Sequence, residues 1–182
     1  MKKSLIMASV IALCTLISSC EKDPCEGIIC ENGGNCVSGM CDCPNNYEGA
    51  FCQDQKTPSS IEVSNLRVLA FPSVTSGGGN WDWDGGPDVY FQVYEGQTLV
   101  YDEMTFIENA NSSSTNSFDF NYTLNNPTSK YTIMLMDYDP LETDDMMGGI
   151  EFTPYHSSNE FPSVLVLEIP GYRMELNISY NF

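Results

Sequence analysis

Six cysteines lie close together within residues 25–52, and this cluster constrains the chain more than any other feature of its sequence. They occupy positions Cys25, Cys30, Cys36, Cys41, Cys43 and Cys52. So short a segment cannot bury enough apolar surface to fold, and covalent cross-links must replace a core. Zinc is a poor alternative because the segment has no CxxC pair and no histidine. Spacing alone leaves the pairing open, since six cysteines can pair in many ways.

The cysteine spacing resembles that of an EGF-like domain, together with Asn32-Gly33-Gly34 and with Tyr47-Glu48-Gly49 before the last cysteine. We assign residues 23–52 to this module. The resemblance implies the disulfides Cys25–Cys36, Cys30–Cys41 and Cys43–Cys52. The acidic pattern of calcium-binding EGF-like domains is absent, so we interpret the module as a spacer or a protein contact. The polar residues 53–60 that follow are predicted to form a linker.

The first residues have the organisation of an export signal. Lys2 and Lys3 precede an apolar run over residues 5–17, which is too short to span a bilayer. The run ends in Ile17-Ser18-Ser19-Cys20, which resembles the lipobox of bacterial lipoproteins. The resemblance implies a signal peptide over residues 1–19, a lipidated N-terminus over residues 20–22 and an anchor on Cys20 in the bacterium's own outer membrane or cell surface. The alternative is an ordinary secretory signal with Cys20 nearby.

Composition excludes several classes of function. The chain has 7 basic and 25 acidic residues, a formal net charge of −18, and therefore lacks the basic face that a nucleic-acid-binding protein needs. Charge alone also does not favour an anionic membrane. Its eight cysteines indicate an oxidising compartment. His156 is the only histidine, so the sequence offers little for acid–base or nucleophilic catalysis, and we predict that the protein is not an enzyme.

Residues 61–182 alternate apolar and polar side chains in short runs separated by Gly, Pro, Asn and Ser. The runs predict strands at roughly 61–71, 87–95, 98–103, 117–124, 131–138, 147–153, 163–169 and 172–181. No segment has a sustained helical pattern. Eight short strands predict an all-β domain made of two packed antiparallel sheets, whose loops gather at the two ends.

Acidic residues are concentrated in two of the predicted loops. We call residues 81–88 the first acidic loop and residues 137–145 the second acidic loop. Together they contain Asp82, Asp84, Asp88, Asp137, Asp139, Glu142, Asp144 and Asp145. Gathering so many carboxylates at one end of a sandwich is unfavourable unless a cation offsets their repulsion. Calcium takes roughly six to eight oxygen ligands in irregular geometry, whereas magnesium demands a stricter arrangement.

The segments Asp82-x5-Asp88-Val89-Tyr90 and Asp137-x-Asp139-x5-Asp145-Met146-Met147-Gly148 resemble the calcium-binding loops of the C2 domain. The resemblance covers residues 61–182 and implies Ca²⁺ as the bound ion in an eight-stranded antiparallel sandwich, with the strand order of the type II form. The implied ligands are the carboxylates of Asp82, Asp88, Asp137, Asp139 and Asp145 and the carbonyls of Trp81, Tyr138 and Thr143. Asp84, Glu142 and Asp144 are expected to face solvent. The alternative is an acidic surface without metal.

Trp83 and Leu141 occupy the positions that enter the bilayer in membrane-docking C2 domains, which implies calcium-dependent binding to phospholipid. The alternative for Trp83 is packing on its own loop. Residues 61–182 contain only Arg67, Lys130 and Arg173 beside 18 acidic residues, so the basic face that binds phosphoinositides in some relatives is absent. The competing interpretations are a calcium-dependent adhesion module for an extracellular protein or glycan, and a structural module that calcium stabilises.

Overall fold

A computed structural model describes residues 22–83, 85–141, 143–158 and 160–182. The predicted signal peptide, the predicted lipidation site Cys20, and the loop residues Asp84 and Glu142 lie outside these ranges. The described residues form thirteen strands. No helix in these ranges is long and apolar enough to span a membrane.

The N-terminal module is held together by disulfides rather than by an apolar core. It contains β1 (Asn35–Val37), β2 (Met40–Asp42), β3 (Tyr47–Glu48) and β4 (Asp54–Gln55), which form two antiparallel pairs, β1 with β2 and β3 with β4. The disulfides are Cys25–Cys36, Cys30–Cys41 and Cys43–Cys52, the three pairs that the resemblance implied. Cys52 is fully buried, while most other side chains of the module are partly or fully exposed.

The rest of the chain forms a sandwich of two antiparallel sheets. The strands are β5 (Ser60–Ala70), β6 (Val89–Glu95), β7 (Thr98–Asp102), β8 (Asn116–Phe118), β9 (Tyr122–Leu124), β10 (Tyr131–Asp137), β11 (Asp145–Phe152), β12 (Val164–Ile169) and β13 (Tyr172–Asn181). One sheet has the order β11-β10-β6-β7, and the other has the order β12-β13-β5-β8, with β9 also paired to β5. The all-β class and the sandwich are therefore as predicted.

The predicted strand over residues 117–124 is interrupted. β8 and β9 both pair with β5, but three residues separate Phe118 from Tyr122 where only two separate Leu66 from Val63. The Asn65 amide fills the gap by donating a hydrogen bond to the Phe118 carbonyl, at 2.8 Å. Counted as one bulged strand, β8 and β9 complete a set of eight.

Aromatic side chains join the two sheets. Phe91 of β6 is fully buried, and its ring contacts Phe118 and Phe120 of the opposite sheet at centroid distances of 5.2 and 5.0 Å. The alternation that predicted the strands places Val89, Phe91 and Val93 on the buried face of β6. Burying one such side chain stabilises the fold by about 1.5–3 kcal/mol.

The disulfide module packs against one end of the sandwich. Phe161 lies at the centre of this junction, with the rings of Tyr47, Tyr155, Tyr180 and Phe182 at 5.9, 5.8, 5.3 and 5.1 Å. Backbone contacts continue the connection, because the Ser59 amide donates to the Asn181 carbonyl at 2.7 Å. Residues 53–60 therefore include the short strand β4, and the backbone just before β5 is hydrogen-bonded to the last strand.

Candidate calcium-binding site

The first and second acidic loops meet because β6 and β10 are antiparallel neighbours. β6 begins at Val89, and β10 ends at Asp137, its partner in register. The Asp88 amide donates to Asp137 Oδ1 at 2.7 Å, and the Tyr138 amide donates to the Asp88 carbonyl at 2.9 Å. The pairing thus brings residues that are 49 positions apart in sequence to one end of the sandwich.

Asp137 is the most unusual residue at this end. Its side chain is completely buried, and its Oδ2 atom has no hydrogen-bond partner within the described ranges. Burial raises the pKa of Asp137 to about 6, the Asp88 amide opposes this rise, and the carboxylates of Asp82, Asp139 and Asp88 add to it. A buried carboxylate with an unused oxygen is unfavourable unless a cation or a proton neutralises it.

The other predicted carboxylate ligands lie around Asp137 with differing exposure. Asp82, Asp88 and Asp139 are half-buried and close enough to Asp137 to influence its pKa. One oxygen of Asp88, Oδ1, accepts a hydrogen bond from the Asn109 amide at 2.9 Å. Among the described residues, no group of three or more Asp, Glu, His or Cys side chains is positioned to hold a metal ion as it stands.

A β-bulge places Asp145 opposite Asp137. The register between β10 and β11 shifts after Leu135, which leaves Met147 as the extra residue and pairs Asp145 with Asp137. Asp145 is exposed and is the first residue of β11, two residues earlier than the strand was predicted to begin. Gly148 follows the bulge with a φ of 130°, and a Cβ there would overlap the Tyr172 hydroxyl.

The residues predicted to supply carbonyl ligands are held in different ways. Trp81 is half-buried, and its Nε1 donates to the Pro72 carbonyl at 2.9 Å, which anchors the start of the first acidic loop. Tyr138 lies between Asp137 and Asp139, and its ring stacks on Phe106 at 4.6 Å. Thr143 is exposed.

The two predicted loop-tip residues are almost completely exposed. Trp83 is 99% exposed and Leu141 is 94% exposed. Trp83 therefore does not pack on its own loop, which was the alternative for this residue. Large apolar side chains with so much surface in water indicate contact with a membrane or a partner when several lie together.

Asp144, which was predicted to face solvent, is half-buried, and both of its carboxylate oxygens accept hydrogen bonds. Its Oδ2 accepts a hydrogen bond from the Tyr90 hydroxyl at 2.7 Å, and its Oδ1 accepts one from the Asp139 amide at 3.1 Å. Burial and the Asp144 carboxylate raise the pKa of Tyr90. Asp144 thus shapes the second acidic loop from within.

A third segment at this end, residues 103–110, was not predicted from the sequence. Ile107 forms a β-bridge with Val89, and the Ala110 amide donates to the Pro87 carbonyl at 2.7 Å. Met104, in the same segment, is 85% exposed. The segment carries no repeated acidic pattern, and its only signal was the short apolar run Met104-Thr105-Phe106-Ile107.

The basic residues of the sandwich are all engaged in ion pairs. Arg67 pairs with Glu175 at 2.6 Å, Lys130 with Glu151 at 2.6 Å and Arg173 with Glu168 at 3.9 Å. Within the described part of the sandwich, no unpaired Lys or Arg remains to form a basic surface.

No family model and no curated protein matches this chain. Solved structures similar to it include C2 domains. One, described as a C2 domain, is 18% identical, aligns over 68% of this chain and 98% of that chain, and has a TM-score of 0.46. A C2 domain of a plant extended synaptotagmin 1 is 13% identical over 69% of this chain and 97% of that chain, with a TM-score of 0.49. A C2 domain protein from Ramazzottius varieornatus is 12% identical over 68% of this chain and 88% of that chain, with a TM-score of 0.42.

Proposed function

We propose that the sandwich binds Ca²⁺ between its two acidic loops and then binds a phospholipid membrane. The observation that carries this proposal is the buried Asp137 carboxylate, whose Oδ2 has no hydrogen-bond partner among the described residues and whose pKa is raised to about 6. Proteins keep such a group where a ligand completes its interactions. The surrounding oxygen donors match the preference of calcium for carboxylates and carbonyls.

The residues that would hold the ion are those that the sequence predicted. Asp82, Asp88, Asp137, Asp139 and Asp145 would supply carboxylate oxygens, and Trp81, Tyr138 and Thr143 would supply carbonyls. A bound Ca²⁺ would supply positive charge that offsets the mutual repulsion of these acids. Without the ion, repulsion between the carboxylates holds the loops apart. When the ion neutralises this repulsion, the loops are expected to draw closer around it.

The membrane contact would be made by the exposed loop tips. Trp83 suits the interface between headgroups and acyl chains, because its ring is apolar and its indole N–H is polar. Leu141 would add apolar surface, at 94% exposed in the structure. The ion-paired state of the sandwich's basic residues favours a neutral or zwitterionic lipid over an anionic one.

The remaining parts of the chain suit a surface protein. The lipobox-like sequence before Cys20 supports a lipid anchor in a bacterial outer membrane or cell surface. The three disulfides and the cysteine spacing support an EGF-like module next to the anchor. We assign a binding function and no catalytic one, since His156 is exposed and lies in the segment after β11, away from the acidic loops.

The test is co-sedimentation with phosphatidylcholine vesicles in calcium and in chelator. The full chain would carry Cys20→Ser, which removes the predicted anchor, and the calcium-dependent increment of binding would be measured. We expect Trp83→Ala and Leu141→Ala to abolish the increment. Leu99→Ala should retain it, because Leu99 is 44% exposed on β7 and lies outside the acidic loops.

Two results would redirect the function. Calcium binding without vesicle binding would favour a protein or glycan ligand if a soluble glycan or an envelope extract competes for the tips. Calcium binding that only raises the unfolding temperature would favour the structural role.

A further inference from the structure

A small cavity lies beside the second acidic loop, on the outer face of the four-stranded sheet. Its volume is about 290 Å³. Tyr90 lies on its wall because Val89 and Phe91, the neighbouring residues on β6, point into the core. Drug-sized ligands occupy cavities of about 300–1,000 Å³, so this one suits a headgroup or a single side chain.

Aromatic rings form one wall of the cavity. Phe106 and Tyr138 stack with centroids 4.6 Å apart and planes inclined by 17°. Phe106 is 38% exposed, so part of its ring remains open to a ligand. Aromatic faces carry negative potential and attract organic cations.

Three carboxylates also line the cavity, and the hydrogen bonds that they accept come from neutral donors. Asp102 accepts from the Gln92 amide at 3.1 Å, and Asp144 accepts from the Tyr90 hydroxyl at 2.7 Å. Glu103 accepts from the Tyr101 hydroxyl at 2.9 Å. These donors orient the acids without neutralising them, and none of the described residues that line the cavity is basic. The ion-paired Arg67, Lys130 and Arg173 lie outside it.

We propose that this cavity binds the trimethylammonium group of a choline headgroup, in phosphatidylcholine. A quaternary ammonium has no N–H to donate, so it needs aromatic surface and nearby negative charge rather than vacant hydrogen-bond acceptors. The cavity offers that combination, because its carboxylates already accept hydrogen bonds from the protein. A lysine ammonium is more strongly hydrated and favours direct hydrogen bonds to a carboxylate.

The position of the cavity favours a lipid as the source of this cation. Tyr138 is three residues before the exposed Leu141, and Met104 on the cavity rim is 85% exposed. Tyr138 therefore shares the second acidic loop with Leu141, and Phe106 shares residues 103–110 with Met104. The choice of lipid rests on the proposed membrane-binding function, whereas recognition of the ammonium group does not require calcium.

The test titrates tetramethylammonium and phosphocholine into the full chain carrying Cys20→Ser, by NMR, in chelator and in calcium. We expect saturable binding with Kd on the order of 1 mM for these small fragments. Phe106→Ala and Asp102→Asn should each weaken binding by about tenfold, since they remove an aromatic wall and a charge. The matched controls Phe51→Ala and Asp119→Asn, both at exposed positions, should leave binding unchanged.

Three outcomes would overturn the inference. These are no saturable binding of tetramethylammonium, equal binding of inorganic phosphate, or tighter binding of a lysine side-chain analogue, which would indicate a peptide. Calcium titrations of the same Phe106→Ala and Asp102→Asn variants keep the two proposals distinct, because neither residue belongs to the proposed calcium ligands. If the wild-type protein bound no calcium, the proposed function would be refuted and the inference about the ammonium group would stand.

Discussion

At one end of the sandwich Phe161 is surrounded by four aromatic rings, whereas at the other end Asp137 has three carboxylates close enough to raise its pKa. Within the part of the chain that the structure describes, buried polar atoms without hydrogen-bond partners occur at both ends. Those near the disulfide module are the hydroxyls of Tyr155 and Tyr180 and the amide oxygen of Gln55. They are neutral, while the corresponding atom at the other end belongs to a carboxylate.

This difference separates stability from function within one domain. Neutral unpartnered groups cost less than a buried charge, and the aromatic contacts of the junction offset them. The acidic end has a larger unfavourable contribution to folding, because it buries a carboxylate. It also exposes large apolar side chains to water. We infer that the junction end stabilises the protein and that the loop end is kept for a ligand.

Replacing the central aromatic residue of the junction should have the largest effect on stability. We expect Phe161→Ala to lower the free energy of unfolding by about 3 kcal/mol, because four ring contacts would be lost. Chemical unfolding measures this effect. Calcium affinity should stay within about twofold of the wild type, since the acidic loops lie at the opposite end.

Phe51→Ala is the matched control for this prediction, because Phe51 is 49% exposed. Its effect on stability should remain within about 0.5 kcal/mol. If Phe161→Ala were as stable as the wild type, the module and the sandwich would be held together by the backbone contacts alone.

Replacing Asp137 should have a smaller effect of the opposite sign. In chelator at pH 7.5, we expect Asp137→Asn to raise the free energy of unfolding by on the order of 1–3 kcal/mol. The amide retains an oxygen to accept the Asp88 amide hydrogen bond and removes the buried charge. A decrease in stability would instead identify the charged carboxylate as a structural element.

The same carboxylate predicts the direction of a pH dependence. Its pKa is about 6 in the folded protein and near 4 when unfolded. The folded state therefore binds an extra proton between about pH 4 and pH 6. The contribution of Asp137 protonation to the free energy of unfolding is fully present below about pH 4 and is lost as pH rises through about 6. Unfolding curves measured in chelator at several pH values should show no such pH dependence of stability for Asp137→Asn. The Asp119→Asn variant should retain it.

The tip residues should have the smallest effect on stability. Trp83→Ala and Leu141→Ala remove side chains that are 99% and 94% exposed, so each should change the free energy of unfolding by less than about 0.5 kcal/mol. Their calcium affinity should also be unchanged. A large loss of stability in either variant would mean that the tip packs on the protein in solution.

The sequence predicted the strands well because alternation along one strand is a local property. Val89, Phe91 and Val93 identify the buried face of β6 without knowledge of its partners. The acidic loops were found for a similar reason, since their carboxylates are close in sequence. Their convergence around Asp137 depends on the pairing of β6 with β10, which only the structure provides.

The features that were missed depend on contacts between distant residues. Residues 103–110 approach the site through the bridge between Ile107 and Val89, which no local pattern encodes. The bonds from Tyr90 and from the Asp139 backbone to Asp144 likewise require a folded loop. The junction around Phe161 joins residues from the disulfide module to the last strand, which are far apart in sequence. The composition of residues 53–60 therefore indicated only a polar linker and not these contacts.

The most direct test of the central claim is a calorimetric calcium titration of the full chain carrying Cys20→Ser, beside the same chain with Asp137→Asn and Asp139→Asn. We predict saturable binding in the first protein and at least about a hundredfold loss of affinity in the second. Circular dichroism would confirm that both proteins are folded. No saturable binding at millimolar calcium, or equal binding by both folded proteins, would contradict a calcium site built around Asp137.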